Sequence, residues 1–272
     1  MVWTYVGVVL LGVLHNAALL PMWIVLGSVA VPGGLLIGVL GGLGPTSDLT
    51  LGRLVFAATA GGVVAVVIGG TIDALIQPTS PDGVIDDRTL LLAGFVEEAC
   101  KLAVVMSVGA SIRRKDLRSG LLVGTAVGLG FAVFEDMGYA MAPFLDHRFT
   151  TALLTQSAEV QVNRALSTPL GHPLWSALLA AAVFAAAGGS RYRFRWYLPL
   201  AYLGVAVAHG LWDGAAVLGT RVLGTAGSTL ATLSVGVVTI VEVAVLALLL
   251  SKTRTPRAAE PDTRREPGPS RR

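Results

Sequence analysis

Between Thr89 and Gly109 the sequence reads TLLLAGFVEEACKLAVVMSVG, an apolar run interrupted by two adjacent carboxylates and a lysine. Glu97 and Lys101 stand four residues apart and Glu98 and Lys101 three, so on a helix the three share one face. Three more polar groups sit in equally apolar surroundings. They are Glu135, Asp136 and Tyr139 in FAVFEDMGY, His172 with Ser176 one turn on in GHPLWSALLA, and His209, Trp212 and Asp213 in HGLWDG. A carboxylate beside a second carboxylate in an apolar pocket is usable as a general base near neutral pH. An imidazole oriented by a carboxylate, as the i, i+4 pair His209 and Asp213 allows, can donate to a developing oxyanion.

The elements that must position these groups follow from composition. Of 272 residues 54% are hydrophobic and only 14% charged, with mean hydropathy +0.72, which places the chain among polytopic membrane proteins. Apolar runs fall at about 3–20, 22–43, 51–75, 90–111, 119–142, 169–189, 197–219 and 229–251, each the length of a transmembrane helix. The expected architecture is an all-α transmembrane bundle of about eight spans. It has seven if Pro21 and Pro32-Gly33-Gly34 turn the first two runs into one broken helix. On insertion scales a charge at a helix centre costs roughly 2.5–3.5 kcal/mol, while Leu, Phe or Val each gain a few tenths. Glu97, Glu98 and Lys101 must therefore meet partners rather than lipid.

Charge distribution orients the bundle and excludes other classes. The last 21 residues hold seven of the twenty Lys and Arg against three acids, leaving the remainder at −1. Residues 1–251 read as one membrane domain and 252–272 as a disordered basic cytoplasmic tail. RRKDLR (113–118) and SRYRFR (190–195) are basic, QPTSPDGVIDDR (77–88) is acidic, and the loops at 143–168 and 220–228 carry few cations. The positive-inside rule places the first two in the cytoplasm and the others outside, in strict alternation. The bilayer is thus a partner, and no basic stripe with interleaved aromatics exists for nucleic acid. The single cysteine, Cys100, allows no disulfide and no cysteine-based metal framework. The first apolar run lacks a charged leader region and a small-residue cleavage site, so it reads as a retained span.

Counted from the outer helix ends, Glu97, Glu135, His172, His209 and Asp213 all fall within roughly 5–15 Å of the outer boundary at 1.5 Å per residue. Four helices bring polar groups to one layer, as a site in the outer half of the bilayer would require. Each cluster also has a structural reading. His209 and Asp213 could glue helices together, His172 could cap its helix, and Tyr139 and Trp212 suit interfacial or packing roles. GLLVGTAVGLG (120–130) reads as a close-packing helix face, because no strand precedes it. Glu242, mid-span in the last run, belongs to none of the clusters, and His15 and Asn16 read as packing residues.

EExxK (Glu97, Glu98, Lys101), FxxxE followed by a polar residue and Tyr (Phe131, Glu135, Asp136, Tyr139), the helix-opening His172 and HxxWD (His209, Trp212, Asp213) together resemble the four motifs of the PrsW-type membrane proteases. Their order and spacing match across residues 90–215. DLRSGLLVGTAVGLGFAVFED and NRALSTPLGH are similar to that family as well. Two positions depart: Asp136 stands where the family usually has Asn, and Ala180 where it usually has Gly. The wider group includes the CAAX prenyl-protein endopeptidases and the Aph-type subunit of gamma-secretase, which is not itself the protease, so the fold alone does not settle activity.

The resemblance implies an intramembrane peptidase that cuts a membrane-anchored protein, such as a single-span anti-sigma factor, on its outer side. In that reading Glu97 activates water, Glu98 shares or positions its proton, and Lys101 balances the pair. His209 donates to the oxyanion and Asp213 orients it, with His172 and Glu135 completing the polar wall and Tyr139 and Trp212 in support. No cofactor is required. Zinc on His172, His209 and Glu97 ranks second, because no HExxH or comparable ligand pair is present. Two other classes compete: a non-catalytic scaffold gripping a partner helix, and a proton- or cation-coupled transporter, against which stands the lack of inverted repeats with matching broken helices.

Overall fold

A computed structural model describes residues 2–14, 17–43, 48–76, 87–145, 150–167 and 170–253. His15, Asn16, residues 77–86 of the acidic loop and the tail from 254 lie outside the described residues. The described chain is helical: α1 (Val2–Leu14), α2 (Leu20–Leu43), α3 (Leu51–Ala60), α4 (Val66–Ile76), α5 (Asp87–Ala110), α6 (Leu117–Met141), α7 (Thr151–Ser167), α8 (His172–Ala186) and α9 (Tyr197–Thr253). A π-helical turn, Gly61–Ala65, joins α3 to α4.

The protein is a polytopic helical bundle. Leu20–Gly42, Leu51–Ile76, Leu117–Phe144 and Val217–Thr253, together with the stretch Thr151–Ala186, are long and apolar enough to cross a membrane. α1 is apolar but short. α1 ends at Leu14 and α2 begins at Leu20, so the first two apolar runs form separate helices, and Pro32 lies inside the second.

α6 is the central helix. Its residues from Ser119 to Ala132 are all buried, and the glycines of GLLVGTAVGLG make that burial feasible. Gly120, Gly124 and Gly128 lie one turn apart, where an added Cβ would collide with the backbone of Ala180, Ser176 and His172 in α8. Gly130 faces the Ala58 backbone, and Gly61 and Gly62 of the π turn meet the Val127 and Gly130 carbonyls. Two helices thereby pack on α6 at backbone contact, as small residues allow where lipid supplies no hydrophobic drive. The core between them is Leu54, Ala57, Val104, Val105, Leu122, Val123, Ala126, Val127, Phe131 and Phe184.

Two expected loops are different. Residues 143–168 are not simply an external connection: Thr151–Ser167 forms α7. Leu154 joins Leu11, Trp23 and Ala140 in one cluster, and the Ser157 hydroxyl donates to the Ala140 carbonyl at 2.7 Å. The mixed polarity of TALLTQSAEVQVNRALS hides an amphipathic helix from a search for apolar runs. The expected loop at 220–228 shrinks to a break inside α9 at Leu223 and Gly224, where Gly224 takes φ 65°, ψ −152°, a conformation open to glycine alone. Gly219 and Gly227 then meet face to face, and residues 225–253 return along the bundle to place Leu246, Leu249 and Leu250 against Leu121, Ala177 and Ala181.

The two basic loops come together. The Lys115 amide donates to the Gly189 carbonyl at 2.9 Å and its Nζ to the Ser190 carbonyl at 2.5 Å. Burial there lowers the pKa of the Lys115 amine, and it pushes the neighbouring Tyr192 phenol up to about 12.

Candidate functional site

The site starts from one turn of α5. Glu98 and Lys101, 0% and 1% exposed, form an ion pair of 2.5 Å, with Glu97 Oε2 3.9 Å from the same ammonium. A lone buried charge is very costly; here helix spacing supplies the counter-ion, and Lys101 Nζ also lies 4.2 Å above the Phe131 ring. Phe131, in the FxxxE pattern, thus closes the apolar side of the ammonium.

Lys101 Nζ sits 3.0 Å from Nδ1 of His172, which α8 presents at its first residue. Gly128 lets the His172 backbone lie against α6, which brings its Nε2 within 2.6 Å of Glu135 Oε2. Arg164 of α7 pairs with both Glu135 and Asp136 and lies 4.4 Å from the Tyr139 ring. The acid standing in the usual Asn position is thus tied to a cation.

His209, fully buried, joins the parts. Its Nδ1 is 3.1 Å from Glu98 Oε1; its Nε2 is 3.5 Å from Glu97 Oε2 and 3.3 Å from Asp213 Oδ2. Gly94 and Gly210 place α5 and α9 at backbone contact, so both imidazoles enter one space, their centroids 4.9 Å apart. The His209 ring stacks on Trp175, and Trp212 packs edge-on against the same indole. The structure thus brings Glu97, Glu98, Lys101, Glu135, His172, His209 and Asp213 into one cluster, with Tyr139 and Trp212 at its edges.

Three residues were missed, and a fourth, Glu242, was named without a role. Arg164 lay in what read as a loop. Trp175, between two polar positions of an apolar helix, carried no chemical signal. Asp73 is three residues from the end of α4, where a charge is unremarkable, yet it stands within electrostatic reach of His209, Asp213, Glu135 and Lys101, with Oδ1 buried and unpartnered. Glu242 is not isolated: its Oε2 accepts a hydrogen bond from Trp175 Nε1 at 3.2 Å.

Glu97 Oε2 and His209 Nε2 are buried atoms that complete no hydrogen bond among the described residues. Glu97, His172 and His209 each offer a ligand atom within 4.8 Å of the others. Two imidazoles and a carboxylate are a donor set that suits zinc in hydrolytic sites, and two unsatisfied atoms facing one space fit an ion. The buried triad is therefore compatible with a metal site. Its ligands come from three helices, so no local HExxH-type pair announces it.

Comparison with known proteins adds a family and a relative. The family model described as "PrsW family intramembrane metalloprotease" matches residues 48–249, a range that contains every residue of the cluster. The protein named "Protease PrsW" of Bacillus subtilis (strain 168) is 28% identical over 126 residues, 46% of this chain and 52% of that relative. The match thus spans about half the length of the relative. No solved structure matches.

Proposed function

For this chain, which belongs to the PrsW family of intramembrane proteases, we propose the role of a membrane-embedded endopeptidase that hydrolyses a peptide bond in a single-span membrane protein. The observation that carries the reading is the pair Glu97 Oε2 and His209 Nε2, 3.5 Å apart, buried, and unsatisfied. A proton acceptor and a potential donor that lie side by side without closing a hydrogen bond to each other can both reach one reacting molecule lodged beside them.

In this reading Glu97 takes a proton from water as the water oxygen bonds to the peptide carbonyl carbon. His209 donates to the oxygen that becomes negative. Glu97 returns the proton to the amine as the C–N bond breaks. Glu98 and Lys101 hold His209 and Glu97 in place, and Glu135 with Arg164 does the same for His172. Asp213 and Asp73 stand at the open side. If zinc is resident, Glu97, His172 and His209 would hold it, and it would supply Lewis-acid activation of water and carbonyl. In that variant Glu97 and His209 would serve as ligands and not as base and oxyanion donor, and the family's own description as a metalloprotease is what supports it.

Orientation is part of the proposal. The joined basic loops mark the cytoplasmic end. With Glu97 about 20 Å along α5 from that end, the site would lie in the outer half of the bilayer, in a bundle of about eight spans with α7 as an additional helix dipping from the outer face. A single-span substrate such as an anti-sigma factor would then be cut on its outer side.

The test is cleavage of a candidate single-span substrate by purified protein. Wild type should cleave and Glu97→Gln should lose about 10²–10⁴-fold. Activity that disappears with a chelator and returns with zinc assigns the metal variant; activity that survives assigns carboxylate-activated water. No cleavage by wild type leaves the scaffold reading in its place, and equal cleavage by wild type and Glu97→Gln overturns the role given to Glu97.

A further inference from the structure

His209 is held along one edge by Glu98 through Nδ1. That hydrogen bond, with the partly exposed Asp213 carboxylate 3.3 Å from Nε2, fixes the edges of the ring and not the tilt of its plane. The structure supplies the missing constraint from behind. The imidazole lies nearly parallel to the Trp175 indole, with centroids 4.3 Å apart and planes 25° apart, and Trp175 is 1% exposed. The indole is in turn held by the Nε1–H hydrogen bond to Glu242 Oε2.

Glu242 is oddly placed for anything else. It belongs to residues 225–253, a largely exposed and apolar return segment. It faces a cavity of about 320 Å³ between the two halves of α9, lined by Ala208, Ala215, Val238 and Thr239. A second cavity of about 690 Å³ toward Leu117 and Tyr197 reaches it from the other side. A leucine there would face lipid and apolar walls at less cost than a carboxylate. Among the described residues, the hydrogen bond it makes is the one to the indole that carries His209.

We propose that Trp175 and Glu242 are positioning residues for His209. Glu242 sets the rotation of the indole, and the indole face sets the tilt of the imidazole, so that Nε2 stays aimed at Glu97. This rests on the peptidase reading, in which His209 works at the reacting centre, and it assigns a role to the hairpin at Gly224, which brings Glu242 back to the site. Neither residue touches the substrate.

Glu242→Leu, Glu242→Gln and Trp175→Phe should be compared with wild type, as full-length protein in nanodiscs, for kcat, KM and Tm. Loss of an outer support of this kind typically costs about 10–100-fold. Glu242→Leu should lose that factor in kcat with KM unchanged and Tm equal or higher. Glu242→Gln, which keeps an acceptor, should recover most of the activity. Trp175→Phe, which keeps a stacking ring and loses the donor, should fall with Glu242→Leu. Wild-type kcat in Glu242→Leu, a loss matched by a fall in Tm, or no rescue by Glu242→Gln would overturn the proposal. A second readout does not need turnover: the indole ¹⁵N–¹H resonance of Trp175, assigned by its disappearance in Trp175→Phe. It should move in Glu242→Leu and stay in Glu242→Gln. If wild type cleaves no single-span substrate, the peptidase reading falls, and this resonance alone decides the link; an unmoved signal in Glu242→Leu overturns it.

Discussion

The ion pair within α5 and the one between α6 and α7 flank the two imidazoles, and they are built in opposite ways. Glu98 and Lys101 are enclosed, three residues apart on a single helix turn. Glu135 and Arg164 are 29 residues apart, with side chains 18% and 25% exposed. The first forms as soon as α5 coils and is then sealed by α6, α8 and α9. The second exists only once α7 has docked. An enclosed pair can hold neighbours in place but cannot meet substrate. A half-open pair on an added helix can reorganise when a peptide arrives. The site thus has a rigid floor on α5 and an adjustable wall on α7, with His209 and His172 between them.

That contrast can be broken most severely at the floor. Lys101→Met leaves Glu98 buried without its counter-ion, a change that typically costs about 3–5 kcal/mol. It should appear as a large fall in thermal stability in detergent, and adding Glu98→Leu should restore most of it. A single variant as stable as wild type would show that the pair is not sealed. His209→Ala removes the group shared by floor and open side. It should cost about 10²–10³-fold in turnover with far less effect on melting, as kinetics and thermal scans on one preparation can check.

At the wall, Arg164→Gln releases Glu135 and Asp136 from their cation. Activity should fall by about 10–100-fold, with Tm nearly unchanged because the pair is partly solvated. A stability loss as large as that of Lys101→Met would erase the distinction between the two regions. The smallest effect belongs to Asp213→Asn. Asp213 is exposed and His209 is already held by Glu98 and Trp175, so a partly solvated pair worth up to about 1 kcal/mol predicts at most about a fivefold change in turnover. A loss of a hundredfold would mean that Asp213 does more than orient.

The helical membrane class was legible in the sequence because lipid imposes a length and a polarity on every span. The clusters at Glu97, Glu135, His172 and His209 were legible for the same reason: charge within apolar runs stands out where each instance is costly. The EExxK face follows from helix periodicity alone. α7 was not legible, because a helix of mixed polarity on the rim of a bundle has no apolar run to mark it, and Arg164 went unnoticed with it. Trp175 escaped notice and Glu242 stood out without a role, because what they do consists of a contact 67 residues apart, created by the turn at Gly224. The Glu97, His172 and His209 triad depends on backbone contacts between α5 and α9 and between α6 and α8, made at Gly94, Gly210 and Gly128. Residue types and spacing along single helices specify what each turn can offer; which offers meet is decided by how closely the helices approach, and that is a property of the packed bundle alone.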